Sequence, residues 1–148
     1  MKTIRIHLLL FMSLLLLSGI TAFPVKTEIS LLYYYQDHFP DFLSNWIVRL
    51  FFELNETPDV MFYGTDWLAF AHSVISLFFI PVYQKPQQYK ANITAGMAAC
   101  GLVFPLAFIC GPLRGIPFFH QLIDCSFGLF GFLYLLYILK KINQLKES

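Results

Sequence analysis

The chain has 148 residues, of which 57% are hydrophobic, 18% aromatic and 13% charged, with a formal net charge of +1 and a mean hydropathy of +0.63. The charged share is about half that of a typical soluble domain, and a water-soluble fold of this size has too little interior to hide so much apolar surface. The composition points to an all-α integral membrane protein.

The first apolar segment, 4–23, follows Lys2 and Arg5. It admits two readings. One is an uncleaved first membrane helix. The other is a secretory signal peptide, with a basic start and the apolar run 8–17. No A-x-A site follows; the nearest stretch is SGITAFP. Three further segments, 62–83, 91–111 and 122–139, each approach the about 20 helical residues that a bilayer core requires. Together the segments predict one membrane domain over 1–148, a four-helix bundle.

The basic residues orient it. With both termini in the cytoplasm, Lys2, Arg5, Lys85, Lys90, Lys140, Lys141 and Lys146 fall inside, and Lys26, Arg49 and Arg114 outside. That asymmetry fits the positive-inside rule.

The first outer loop, 24–61, is the only sizeable extramembrane piece. It has six acids (Glu28, Asp37, Asp41, Glu53, Glu56, Asp59) against Lys26 and Arg49, a net charge of −4. Such a loop is poor material for binding nucleic acid or anionic lipid. The stretch ISLLYYYQDHF is rich in aromatic rings, which favour the headgroup level. Pro40 and Asp41 suit a helix start. Phe42, Trp46, Leu50 and Leu54 then recur at helical spacing beside Leu43, Ile47 and Phe51, while Asp41, Ser44, Asn45, Arg49 and Glu53 form the other face. This predicts an amphipathic helix over 41–54 that lies on the outer membrane surface or caps the bundle. A helix that docks a partner is the functional alternative.

The second membrane segment, FYGTDWLAFAHSVISLFFIPVY, is itself amphipathic. At 3.6 residues per turn, Thr65, Asp66, Ala69, His72, Ser73 and Ser76 share an arc of about 120°. Trp67, Phe70, Ala71, Val74, Ile75 and Phe78 lie mainly opposite. The small and polar face should pack on other helices and the aromatic face should meet lipid. On the third segment, Ala95, Gly96, Ala99 and Cys100 form a small-residue seam suited to internal packing or to assembly. On the fourth, His120, Asp124, Gly128 and Gly131 share a face, and the glycines let another backbone approach.

Between the third and fourth segments lies GPLRGIPFFHQLIDCSFG, residues 111–128. A charge at membrane depth is costly unless paired. Asp66, His72, Arg114, His120 and Asp124 all fall toward the outer ends of their helices and can gather there. The expectation is that Arg114, whose planar fork suits a carboxylate, pairs with Asp66 or Asp124 while the histidines complete the network. Pro112, Gly115 and Pro117 would fix the turn that aims Arg114 inward. Such a network serves equally as a structural lock, a ligand or proton site, or an acid–base pair.

No phosphate-cradling glycine loop, H-E-x-x-H pair or G-x-S-x-G elbow occurs, so neither a cofactor nor a metal is expected. The cysteines Cys100, Cys110 and Cys125 are odd in number and lack C-x-x-C spacing. They read as packing residues, with a Cys110–Cys125 disulfide left open. No inverted repeat of the kind that marks secondary transporters is visible.

The stretches YGTDWLAFAHSVIS and GPLRGIPFFHQLIDCSFG resemble segments of small uncharacterised bacterial multi-pass membrane proteins. The resemblance covers the second to fourth helices and implies a bacterial inner membrane. It brings no activity with it. The leading expectation is a non-enzymatic membrane protein of structural or accessory type, whose partners are the bilayer and a membrane protein or a second copy. A small-ligand or proton-linked binding or transport protein using the five-residue cluster is the alternative. A lipid-modifying enzyme, with His72 or His120 as base, is the third.

Overall fold

The computed structural model describes residues 1–145; Lys146, placed with the inner basic residues by sequence, lies outside them. The described chain is helical, with no strand among the described residues. In order the helices are α1 (Lys2–Ala22), α2 (Val25–Tyr34), a 3-10 turn (Gln36–His38), α3 (Asp41–Glu56), α4 (Asp59–Leu77), α5 (Ile80–Gln84), α6 (Lys90–Leu113) and α7 (Phe118–Gln144). Four stretches are long and apolar enough to cross a membrane: Lys2–Ala22, Asp59–Gln84, Lys90–Leu113 and Phe118–Gln144.

Two of these differ from the sequence expectation in an instructive way. The second is not one helix: α4 stops at Leu77 and α5 starts at Ile80. Pro81 supplies no N–H, and its ring would collide with the carbonyl four residues back, that of Leu77. The fourth reaches beyond its apolar run at both ends. Pro117 in extended conformation starts it, and Lys140 and Lys141 continue it, because lysine is a good helix former whose charge suits a helix C-terminus.

By contacts the chain divides into two units, residues 1–12 with 77–148, and residues 13–76. In the first unit α6 and α7 form a close antiparallel pair. A Cβ built on Gly128 would stand 2.7 Å from the Cys100 carbonyl oxygen, and one on Gly131 2.9 Å from the Cys100 sulfur. Gly96 meets Phe79 and Leu135 in the same way. The seam thus uses Gly96 and Cys100 for internal packing, while Ala95 and Ala99 face outward. Ile4 and Leu8 are buried, and Phe11 packs edge-on to Phe79.

In the second unit α1 meets α4 at Gly19, where a Cβ would stand 2.6 Å from the Ala69 carbonyl oxygen and 3.0 Å from the His72 Cβ. Ala69 and Ser76 are buried, and Trp67, Phe70 and Ile75 are exposed, as the wheel expects, but Thr65 at the start of its polar face is exposed, and Ala71 and Val74 opposite are half-buried. The segment 24–61 is largely helical. The first part of its aromatic run, expected only as headgroup-level rings, ends α2, the rest passes into the 3-10 turn, and the Tyr33 ring stacks on Phe51 of α3 at 4.0 Å. In α3, Trp46 and Ile47 are buried, but Phe42 is exposed. Arg49 pairs with Glu53 at 2.6 Å and lies over the Trp46 ring.

Candidate functional site

The polar segment 111–128 is built around a helix-ending turn. Gly115 adopts φ 66, a left-handed conformation that costs a side-chain-bearing residue but not glycine. The Ile116 N–H donates to the Gly111 carbonyl at 2.9 Å and the Gly115 N–H to Pro112 at 3.1 Å. This doubled pattern satisfies the last carbonyls of α6. Pro117 then opens α7, so that Arg114 is the capping residue of α6 and His120 and Asp124 lie inside α7.

Gln121, passed over in the sequence reading, is central to the turn. It is 4% exposed, its amide donates to the Ile116 carbonyl at 2.8 Å, and its side chain fills the space that the missing Cβ of Gly111 leaves open. A lone amide at the start of an apolar helix was the available signal, since such a group needs a hydrogen-bond partner.

Arg114 and Asp124 line one open groove of about 270 Å³ with Val103, Leu106, Ala107, Cys110, Gly111, Ile116 and Gln121. They do not form the ion pair expected of them. The carboxylate of Asp124 has its ionic contact with His120 one helical turn back, at 3.9 Å, which attracts only when the imidazole is protonated. The reason is geometric: one helical turn separates His120 from Asp124, whereas Arg114 caps the preceding helix and its side chain is exposed.

Asp66 and His72 belong to the second unit. Asp66 lines a shallow cavity of about 320 Å³ with Phe23, Tyr63, Trp67 and Phe70. The Nδ1 of His72 lies 3.0 Å from the Leu68 carbonyl oxygen of its own helix, which in the neutral ring places the proton on Nδ1. All three cysteines are free, and no group of three metal-ligating side chains occurs among the described residues. Comparison with family models, with curated proteins and with solved structures finds no match.

Proposed function

We propose that the chain is a non-enzymatic multi-pass membrane protein of structural or accessory type. Its four spans pack as a bundle in a bacterial inner membrane, both termini are cytoplasmic, and α3 lies at the outer interface. The carrying observation is the glycine seam of α6 and α7, where backbone meets backbone at Gly128 and Cys100. Close approach of this kind is how helices associate where lipid removes the hydrophobic drive between them. The exposed faces are left for a partner protein or a second copy. Ile4 and Leu8 are buried, which supports a first helix that stays with the chain.

The test is site-specific photo-crosslinking in native membranes from exposed positions, Phe42 and Phe52 on α3 and Leu102 and Leu106 on α6. A discrete protein adduct, at dimer mass or with one reproducible partner, supports the accessory reading. Lipid adducts alone at all four positions overturn it.

A second reading is favoured by one observation: Arg114 and Asp124 share an open groove without pairing with each other. A small ligand carrying both charges would fit that arrangement. On this reading Asp124→Asn folds normally and loses function; on the structural reading no function is lost unless stability is.

A further inference from the structure

The first unit ends in a concentration of positive charge that the packing, more than the sequence order, creates. The Arg5 guanidinium of α1 lies 3.4 Å from the Gln84 carbonyl oxygen and over the Tyr83 ring. This contact brings the start of α1 to the end of α5, next to Lys85. The Lys90 ammonium at the start of α6 reaches the Asn143 side chain in the last turn of α7, next to Lys140 and Lys141. Lys2 lies one turn before Arg5 on α1. Three chain segments thus deliver Lys2, Arg5, Lys85, Lys90, Lys140 and Lys141 to one end of the unit. Asp124, near the start of α7 and so at that helix's far end, is the acid of this unit among its described residues.

Among the described residues, no acid pairs with these cations. Arg5 is held by a carbonyl and a ring, Lys90 by an amide oxygen, and Lys141 by the Tyr137 ring. None of the ion pairs Lys26–Asp59, Arg49–Glu53 and His120–Asp124 uses any of the six. Neutral partners fix the side chains and leave their charge unspent. Beside them stand the rings of Tyr83 and Tyr137, side chains suited to the boundary between headgroup and acyl chain.

We infer that this end of the unit is a binding surface for anionic phospholipid headgroups, such as phosphatidylglycerol. Charge complementarity selects the occupant: a cluster of unneutralised Lys and Arg beside an apolar helix end attracts an acidic leaflet. The inference rests on the membrane reading above but goes beyond orientation, because it predicts selectivity in a bilayer where orientation no longer matters.

The experiment places the full chain in nanodiscs of phosphatidylcholine with a minority of phosphatidylglycerol. The ratio of the two lipids retained by the released protein is read by native mass spectrometry. The variant is Lys2→Gln, Lys85→Gln, Lys140→Gln, since the side chains of these lysines make no hydrogen bond or ion pair among the described residues; Arg114→Gln is the control at the other end. Each cation near an acidic surface is worth about fivefold in binding, so three should lower the enrichment by at least about tenfold after allowance for screening. Wild type is expected to enrich phosphatidylglycerol, the triple variant to lose most of that enrichment, and Arg114→Gln to keep it. Wild type that enters the discs with no enrichment overturns the proposal, as does full enrichment in the triple variant. A chain that will not enter these discs at all refutes the membrane reading and this proposal with it.

Discussion

The α-carbon of Gly128 on α7 faces the carbonyl oxygen of Cys100 on α6 so closely that a Cβ at 128 would stand 2.7 Å from that oxygen and 3.1 Å from the Val103 Cβ. The obstacle is backbone on one side and a stiff β-branched side chain on the other, so neither yields cheaply. Gly128→Ala should therefore destabilise despite alanine's higher helix propensity, by about 1 to 3 kcal/mol, the usual cost of overpacking. Gly101 on α6 has no atom within 4 Å of its would-be Cβ. Gly101→Ala should be neutral or stabilising, by up to about 1 kcal/mol. Thermal unfolding of the detergent-solubilised variants checks both; equal effects at the two positions would show that the seam is not where the backbones meet.

That seam was readable in the sequence because glycines and small residues recur at helical spacing on both partners. The polar wheel of the second segment was readable for the same reason. Other features left no local trace. Pro105 sits inside an unbroken α6 while Pro81 ends α4, so the residue type alone does not say whether a helix in an apolar stretch will break. The Leu-Tyr run of α2 has no polar face to give it a phase. The turn at Gly115 and the start of α7 after Pro117 followed from the Gly and Pro pattern, but the turn does not aim Arg114 inward as expected: Arg114 is exposed, and Pro112 still belongs to α6. The preference of Asp124 for His120 over Arg114 required knowing where α7 begins.

The turn itself gives a prediction. Gly115 at φ 66 should tolerate alanine poorly, at a cost of about 1 to 2 kcal/mol for the left-handed conformation. Asparagine, which enters that region more readily, should cost less. The ranking Gly, Asn, Ala in thermal midpoint is the expected result. A flat series would mean that the turn is not held by its left-handed residue.

Gln121 should behave as a buried amide with a specific partner. Gln121→Leu removes the donor to the Ile116 carbonyl and fills a similar volume beside Gly111. The expected loss is about 1 to 3 kcal/mol, the cost of leaving a buried acceptor unmet. Gln121→Glu cannot donate when ionised, so it should be destabilised at neutral pH and recover on acidification. Unfolding midpoints measured across that pH range would show it, and an unchanged Leu variant would rule the hydrogen bond out as a stabilising contact.

His7 and Tyr134 are 127 residues apart in sequence, yet the Tyr134 hydroxyl lies 2.8 Å from His7 Nδ1. The Tyr137 ring also meets the His7 imidazole edge-on at 5.1 Å, but its hydroxyl has no hydrogen-bond partner among the described residues. The Tyr134 hydroxyl also donates to the His7 carbonyl oxygen at 3.4 Å, so Tyr134→Phe should cost about 0.5 to 3 kcal/mol, the net worth of one to two hydrogen bonds, and Tyr137→Phe close to nothing. Unfolding midpoints of the two variants make the comparison, and a larger loss at Tyr137 would reverse the assignment.

The stacked rings of Tyr33 and Phe51, 4.0 Å apart and 8° from parallel, join α2 to α3, where the sequence predicted only the second of the two helices. If this stack holds α2 helical, the two residues must be energetically coupled. A double-mutant cycle of Tyr33→Ala and Phe51→Ala should give a coupling of about 0.5 to 1.5 kcal/mol, the range of aromatic pairs beyond their area burial. Phe52, which meets Tyr33 only edge-on at 6.1 Å and is largely exposed, should couple more weakly. Additive losses at Tyr33 and Phe51 would mean that α2 is held by its own backbone and by contacts other than this stack.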